Sequence, residues 1–154
     1  MNVKAKLSPD DLARACADAM WKKDDASSGL GMEILDVKPG EAKLTMTIQP
    51  HMVNGQRIAH GGFIFTLADS AFAFACNSHN ARTVAAQCQI SFIRPAKLGD
   101  VLVATAREIS RSGRSGIYDV QVTAGSEVIA EFRGHSRTIG GTWLPPNGTD
   151  SKQK

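Results

Sequence analysis

Long apolar runs are missing from this sequence: no stretch approaches the length that crosses a bilayer, and the first residues, MNVKAKLSPDD, lack the apolar core of a secretion signal. Cysteine is scarce as well. The three cysteines form no CxxC pair and are odd in number, which argues against a disulfide framework and a thiolate zinc site. The four histidines show neither an HExxH pattern nor a paired-carboxylate spacing. We therefore expect a cytoplasmic protein that crosses no membrane and binds no metal.

An excess of charge of one sign is also missing. The formal net charge is +3, which is too modest to indicate nucleic-acid binding. Hydrophobic residues at 42% and charged residues at 21% are typical of a globular protein, and 154 residues suffice for one core. We expect a single domain over residues 1–141, followed by a flexible tail at 142–154 that is polar and rich in glycine and proline.

The chain begins with a predicted helix and a predicted hairpin. Ser8 can cap the helix, Pro9 suits its first position, and apolar residues recur at helical spacing in SPDDLARACADAMWKKD. The segment DASSGLG then breaks the helix. Alternating polar and apolar residues around a Pro-Gly turn predict a hairpin over residues 32–48.

A second helix, from Gly61 to about Asn77, is apolar on nearly all sides and must be enclosed on most of them. Four strand signals follow it: TVAAQCQISFIRP, DVLVATAREIS, GIYDVQVTAG and EVIAEFRGHSRTI. The short breaks between them imply antiparallel neighbours. The expected class is α+β, a hotdog fold in which one curved antiparallel sheet wraps round a central helix, with an N-terminal helix added. The open edge of the sheet should pair with another copy.

One carboxylate, Asp69, lies within the apolar helix. Its neighbours at three and four residues either side offer it no cation: they are Phe65, Thr66, Phe72 and Ala73. Such an acid either faces water at a gap in the sheet or acts in a cleft as a general base or a nucleophile. The residues alone leave both interpretations open.

Two glycines stand where this helix begins, in NGQRIAHGG. The free N–H groups of a first helical turn can polarise a carbonyl oxygen, although Gly-Gly before a helix is also a common plain turn. Gly61 and Asp69 are eight positions apart, which at helical rise is about 12 Å along the axis. One substrate carbonyl cannot touch both in one chain. The chemistry therefore requires a dimer, in which Asp69 of one copy faces the Gly61 N–H of its mate in each of two equivalent sites.

These segments carry a family resemblance. The order NGQ, HGG, LADSAFAFACN and FRGHSRTIGG resembles the hotdog acyl-CoA thioesterases of phenylacetic acid degradation, the PaaI type, over residues 13–141. The resemblance implies an enzyme that hydrolyses acyl-CoA thioesters, with phenylacetyl-CoA or its ring-hydroxylated relatives as substrates. It implies no cofactor, since coenzyme A is part of the substrate, and it implies a homotetramer built from homodimers.

The resemblance also implies residue roles. Asp69 would serve as base or nucleophile and the Gly61 amide as oxyanion donor, while Asn54 and His60 would position the thioester or hold the loop. Ser70 follows the acid where relatives often carry Thr or Asn, which suggests a supporting polar role; no GxSxG elbow surrounds it that would make it a nucleophile.

Basic residues near strand ends are candidates for binding the phosphates of coenzyme A, because forked guanidinium donors and glycine amides suit that group. Surface arginines often serve solubility alone. The resemblance favours the SGRSG loop in particular. The candidate residues are Arg94, Arg111, Gly113, Arg114, Ser115 and Gly116.

Three alternatives stay open. A more distant thioesterase branch holds the attacking water with a Ser at the position of Ala85. Alanine has no hydroxyl to do so, and direct attack by Asp69 on the thioester is therefore an alternative here. A hotdog hydratase or dehydratase carries Asp and His five apart on one helix, whereas the next histidine after Asp69 is His79. A non-catalytic acyl-CoA-binding protein is the third.

Overall fold

Six strands and three α-helices make up residues 5–145, which are the part of the chain that this computed structural model describes. In chain order the elements are α1 (Pro9–Trp21), α2 (Asp25–Gly29), β1 (Glu33–Lys38), β2 (Glu41–Thr47), a 3-10 turn (Pro50–Met52), α3 (Gly61–Cys76), β3 (Thr83–Phe92), β4 (Val101–Ser112), β5 (Ser115–Ala124) and β6 (Glu127–Thr138).

Local chemistry explains the start of the chain. Ser8 Oγ accepts a hydrogen bond from Asp11 N at 3.1 Å, and Pro9 occupies the first turn, so α1 begins where the sequence predicts it. The segment predicted only as a break forms the short helix α2 instead. It does so because Asp24 caps it, with Oδ1 accepting from Ser27 N at 2.9 Å.

The sheet is antiparallel throughout, with strand order β1-β2-β4-β5-β6-β3. Helix α3 packs on one face of it and contacts all six strands. Because α3 is apolar on nearly every side, it supplies the centre of the core, with Leu67, Ala68 and Ala71 fully buried. The hotdog fold, the central helix and the hairpin are confirmed.

One strand pairing differs from the prediction. Short breaks do join neighbours at β4–β5 and β5–β6, but β3 pairs with β6 and not with β4. The connection from β3 to β4 instead crosses one end of the sheet. It is held by backbone bonds there: Ile93 N donates to Ile129 O at 2.8 Å, and Gly99 N donates to Ile48 O at 2.9 Å. Strand β3 therefore forms an edge.

This β3 edge is unusually open. Val84 is 45% exposed and Phe92 is 53% exposed, whereas Cys88 and Ile90 lie half-buried against α3. Among residues 5–145 no strand pairs with the outer side of β3. An edge with exposed apolar side chains is a surface that another strand can cover.

The segment predicted as a tail starts with a fixed turn. Trp143 Nε1 donates to Asn77 Oδ1 at 2.8 Å, and the backbone N–H groups of Trp143 and Leu144 donate to Asn80 Oδ1 at 3.0 and 2.9 Å. The guanidinium of Arg82 lies 4.4 Å from the centre of the Trp143 ring. These contacts join residues 143 and 144 to the domain, and the flexibility of the segment 142–154 stays a prediction. The predicted tail over 146–154 lies outside the described residues.

Candidate active site

The N-terminus of α3 is capped by His60. Its Nδ1 accepts a hydrogen bond from Gly62 N at 2.9 Å, and its backbone N–H donates to Met52 O at 2.7 Å. A ring nitrogen that accepts carries no proton, so the neutral ring holds its proton on Nε2. His60 is exposed, and within residues 5–145 no acceptor is bonded to its Nε2–H, which can therefore meet a ligand.

Gly61 is the first residue of this helix. Its N–H finds no acceptor among residues 5–145, as expected for a first helical turn, and the helix dipole makes that end electropositive. The ring of Phe92 lies against its Cα. A Cβ built on Gly61 would stand 2.8 Å from Phe92 Cζ, so a larger residue cannot fit without moving the ring.

Asn54 organises the loop before the helix. Its Oδ1 accepts from Gln56 N at 3.0 Å and from Ile58 N at 3.4 Å, while its own N–H donates to Ile58 O at 2.9 Å. This tight turn places Arg57 at a φ of 64°. The side-chain oxygen of Asn54 is therefore used within the loop, and its amide nitrogen is the group left to meet a substrate.

Asp69 lies half-buried on the side of α3 that faces β3. Its closest hydrogen-bonding side chain is Cys88, whose Sγ is 4.0 Å from Asp69 Oδ1. No Lys, Arg or His of residues 5–145 forms an ion pair with it. Burial raises the pKa of Asp69 above its usual value. The acid is thus an unpaired carboxylate in a partly desolvated position, as a general base or nucleophile requires.

Gly61, Phe65 and Asp69 follow one another at intervals of four, so all three lie on the same face of α3. The inward side chains of β3 run past them in the opposite direction. Phe92 contacts Gly61, and Cys88 contacts Asp69. The amide and the acid are two helical turns apart, so within one chain they cannot reach the same carbonyl.

Ser70 is not part of this face. Its Oγ lies 2.8 Å from Ser27 Oγ, which in turn donates to Asp24 Oδ2 at 2.7 Å. A helix turns by about 100° per residue, so the residue after Asp69 points towards α2 instead of β3. In the structure the Ser70 hydroxyl joins α3 to α2, and its supporting role beside the acid stays a prediction.

The predicted coenzyme A residues form two groups at opposite ends of α3. Arg94 follows β3 at the Gly61 end, and it is exposed. The other group surrounds the β4–β5 turn near the last turn of α3, where Gly113 adopts a φ of 58°. A cleft of about 230 Å³ opens there. Its lining includes Arg111, Gly113, Arg114 and Ser115; Gly116 lines the adjoining cleft of about 430 Å³.

A polar cluster beneath that turn was missed from the sequence. Tyr118 Oη donates to Glu108 Oε1 at 2.8 Å, and His79 Nε2 lies 3.0 Å from the same oxygen. Arg111 Nε is 3.5 Å away. Burial raises the pKa of Glu108, but the hydrogen bonds from Tyr118 and His79 outweigh burial and the net shift is downward. The available signal was alternation: Glu108 continues the inward series of Leu102, Ala104 and Ala106.

Metal-binding clusters and membrane-spanning helices were sought among the described residues. Within 5–145 no group of three or more His, Cys, Asp or Glu side chains is placed to hold a metal ion. None of the helices described there is long and apolar enough to cross a membrane.

Comparison with known proteins identifies the family. The model of the "Thioesterase superfamily" matches residues 56–131. The acyl-coenzyme A thioesterase PaaI of Escherichia coli is 43% identical over 127 residues, which are 82% of this chain and 91% of that protein. The chain belongs to the thioesterase superfamily. The matched segment of this superfamily member includes α3 with Gly61 and Asp69.

Solved structures agree with this assignment. The structure of the E. coli PaaI protein from the phenylacetic acid degradation operon superposes with a TM-score of 0.86 at 41% identity, covering 88% of this chain and 99% of that one. The smu.793 protein of Streptococcus mutans, solved bound to acetyl-CoA, has a TM-score of 0.69 at 25% identity, covering 72% of this chain and 90% of that one. The PaaI-type resemblance expected from the sequence is confirmed.

Proposed function

We propose that this superfamily member hydrolyses acyl-CoA thioesters to the free acid and coenzyme A. One observation supports the proposal most directly. Asp69, which has no ion-pair partner and a raised pKa, and the Gly61 N–H, which has no acceptor within residues 5–145, lie on the same face of α3. Thioester hydrolysis needs these two functions, a base or nucleophile and a donor to the carbonyl oxygen. The name of the E. coli relative supports the same reaction.

A homodimer completes the site. A two-fold axis normal to the sheet would pair the open β3 edges of two copies antiparallel and keep both α3 helices on one face. The two helices then run side by side in opposite directions. Asp69 of one copy thereby faces the Gly61 end of the other, which removes the separation of about 12 Å within one chain.

Coenzyme A would lie across the same junction. The β4–β5 turn sits at the Thr83 end of β3, because Thr83 pairs with Thr138 and Arg137 pairs with Ser115. Arg94 sits at the other end of β3. Antiparallel pairing of two β3 strands brings these ends together, so that Arg111 and Arg114 of one copy and Arg94 of the other can bind the phosphates.

In the reaction, the thioester oxygen accepts a hydrogen bond from Gly61 N–H, and His60 Nε2–H and the Asn54 amide help to orient the acyl group. Asp69 then either takes a proton from water as that water attacks the carbonyl carbon, or attacks the carbon itself to form an anhydride that water cleaves. In both cases one water is consumed, the C–S bond breaks, and the thiolate of coenzyme A leaves and takes up a proton.

The acyl group, the assembly and the location complete the proposal. Phenylacetyl-CoA or a ring-hydroxylated relative is the proposed substrate, supported by the operon named for the E. coli protein and by the aromatic residues near the site. Two dimers are proposed to join as a homotetramer. The proposed location is the cytoplasm.

Mixing two inactive variants tests the composite site. Asp69→Asn and Gly61→Pro should each abolish thiol release from phenylacetyl-CoA, because proline fits the first helical position but has no N–H. When the two are unfolded together and refolded, a mixed dimer carries one intact site, so random pairing should restore roughly one quarter of the wild-type activity. No restoration, with mixed dimers demonstrated by differently tagged chains, would contradict a site shared between subunits.

A panel of thioesters tests the reaction class. Free thiol is followed with phenylacetyl-CoA, 4-hydroxyphenylacetyl-CoA and hexanoyl-CoA, and hydration of crotonyl-CoA is followed by loss of its enoyl absorbance. Thiol release without hydration is the expected result. Hydration without thiol release would replace the proposal by a hydratase, and tight binding without either reaction would replace it by an acyl-CoA-binding protein.

A further inference from the structure

Phe92 takes a position that the proposed mechanism does not use. It is the last residue of β3, and its ring lies against the first residue of α3. The position of a Cβ on Gly61 is 2.8, 3.1 and 3.3 Å from Phe92 Cζ, Cε1 and Cε2. The tip of the ring therefore points at the backbone whose N–H is the oxyanion donor.

Phe92 is also 53% exposed. Large aromatic side chains are more often enclosed, and its near neighbours on the same side of β3, Cys88 and Ile90, are half-buried. The sheet does not cover the ring, because the residue opposite it on β6 is Ala130, which is small. This surface, exposed in the single chain, lies beside the Gly61 amide at the β3 edge where the proposed dimer forms its composite site.

Three sets of side-chain contacts follow one another along the boundary between α3 and β3, which we call the strip. Phe92 lies against Gly61 at one end and Cys88 lies beside Asp69 at the other. Phe65, midway on the helix face, packs edge-on against Phe132 with ring centroids 5.5 Å apart, and Phe132 is opposite Ile90 in the sheet. An acyl group whose carbonyl oxygen is bound at Gly61 therefore meets the ring of Phe92 before any other side chain of this strip.

We infer that Phe92 determines the acyl selectivity of the site, favouring thioesters with an aromatic ring one or two carbons from the carbonyl over straight alkyl chains. The inference rests on the proposed function, because it places the thioester at Gly61. Aromatic rings prefer offset or edge contacts with one another. The interaction energy of such a contact is larger than that of an aliphatic chain burying a similar area. The residue acts on binding of the acyl group and takes no part in proton transfer.

Binding of uncleavable analogues tests this without relying on turnover. The ketone analogues of phenylacetyl-CoA and hexanoyl-CoA, in which a methylene replaces the thioester sulfur and the carbonyl is kept, would be titrated calorimetrically. Phe92→Leu should weaken the binding of the aryl ketone roughly 3- to 10-fold relative to the hexanoyl ketone, and kcat/KM for phenylacetyl-CoA against hexanoyl-CoA should shift by the same ratio.

Matched variants keep the result interpretable. Phe92→Tyr retains the ring and should retain the aryl preference. Ile93→Leu changes the next residue, which is 52% exposed, and should leave the ratio unchanged. Circular dichroism and light scattering check folding and assembly, and Phe92→Met serves as a second ring-free variant if Phe92→Leu does not fold.

If the ring-free variants lose affinity equally for the aryl and the alkyl analogues, the inference is overturned and the hydrolase proposal stays intact. The reverse failure is distinguishable. A wild-type protein that binds the analogues with an aryl preference dependent on Phe92 but releases no thiol would overturn the proposed function and leave the selectivity role standing.

Discussion

The Cys88 thiol faces the Asp69 carboxylate, with its Sγ 4.0 Å from Oδ1. The contact joins the centre of α3 to the edge strand β3, and among residues 5–145 it is the only side-chain hydrogen-bonding contact that Asp69 makes. A thiol is a weak donor. The acid is therefore held in place without being neutralised, and burial keeps its pKa raised.

Replacing Cys88 should move the acid limb of the pH–rate profile. In Cys88→Ser the hydroxyl donates more strongly to the ionised carboxylate, so the pKa of Asp69 should fall and activity should persist to lower pH. In Cys88→Ala the donor is lost and the limb should move to higher pH. The measurement is kcat/KM for thiol release between about pH 3 and 8. An acid limb at the same pH in all three proteins would show that Cys88 does not act on Asp69.

Removing the charge of Asp69 should abolish activity and increase stability. Turnover of Asp69→Asn should fall roughly 100- to 10,000-fold, as for loss of a general base. The folded-state pKa is raised above the usual 3.8, so the folded protein binds the proton more tightly than the unfolded chain does. Wild-type stability should therefore decline as pH rises from about 3.8 through the raised pKa, and that loss persists at neutral pH.

Thermal unfolding from pH 3 to 8 checks the second part of this prediction. Asp69→Asn should lack the decline and melt higher than the wild type at pH 7. Asp119→Asn is a control of opposite sign, because the hydrogen bond from Arg133 holds the pKa of Asp119 below its usual value. A lower melting temperature for Asp69→Asn at pH 7 would show that the ionised acid has a stabilising partner.

Adding a methyl group at Gly61 should cause a clash with Phe92. The new Cβ would stand 2.8 Å from Cζ, so Gly61→Ala should lose about 1–3 kcal/mol of unfolding free energy. The loss should shrink in a Phe92→Ala background, where the ring is absent, and denaturant unfolding of the four proteins measures the coupling. Gly55→Ala is a control, since nothing lies within 4 Å of its Cβ. Additive effects of the two substitutions would contradict the contact.

Ser70 should matter for stability and not for catalysis. Ser70→Ala removes the bond to Ser27, so the unfolding free energy should fall by about 1 kcal/mol. Values of kcat and KM for thiol release should stay within twofold of the wild type. A large drop in kcat with normal stability would return Ser70 to the active site.

A charge on the open edge should separate the proposed dimer. Val84→Asp places a carboxylate on β3 at a residue that is 45% exposed, where a partner strand would bury it. We expect a monomer with little activity. Val101→Asp makes the same change on β4 at a residue 55% exposed and should leave the assembly intact. Light scattering with parallel assays measures both, and an active monomer would be incompatible with shared sites.

Local residue patterns are enough to locate α1, α3 and most of the strands. Ser8 and Pro9 mark the start of α1, Gly61 marks the start of α3, and the alternation in the last three segments marks β4, β5 and β6. These features depend on capping and on side-chain periodicity, which are set by residues within a few positions of one another. The acid at Asp69 stood out for the same reason, because its local surroundings offer it no partner.

The neighbours of each helix and strand follow from three-dimensional packing and could not be read from local patterns. This packing placed β3 at the edge next to β6, turned Ser70 towards Ser27, and set Phe92 against Gly61. Each contact joins residues distant along the chain, so it depends on how whole elements pack and not on local pattern. The candidate site depends on such packing. Helix periodicity puts Gly61 and Asp69 on one face of α3, and packing against β3 determines which side chains surround them.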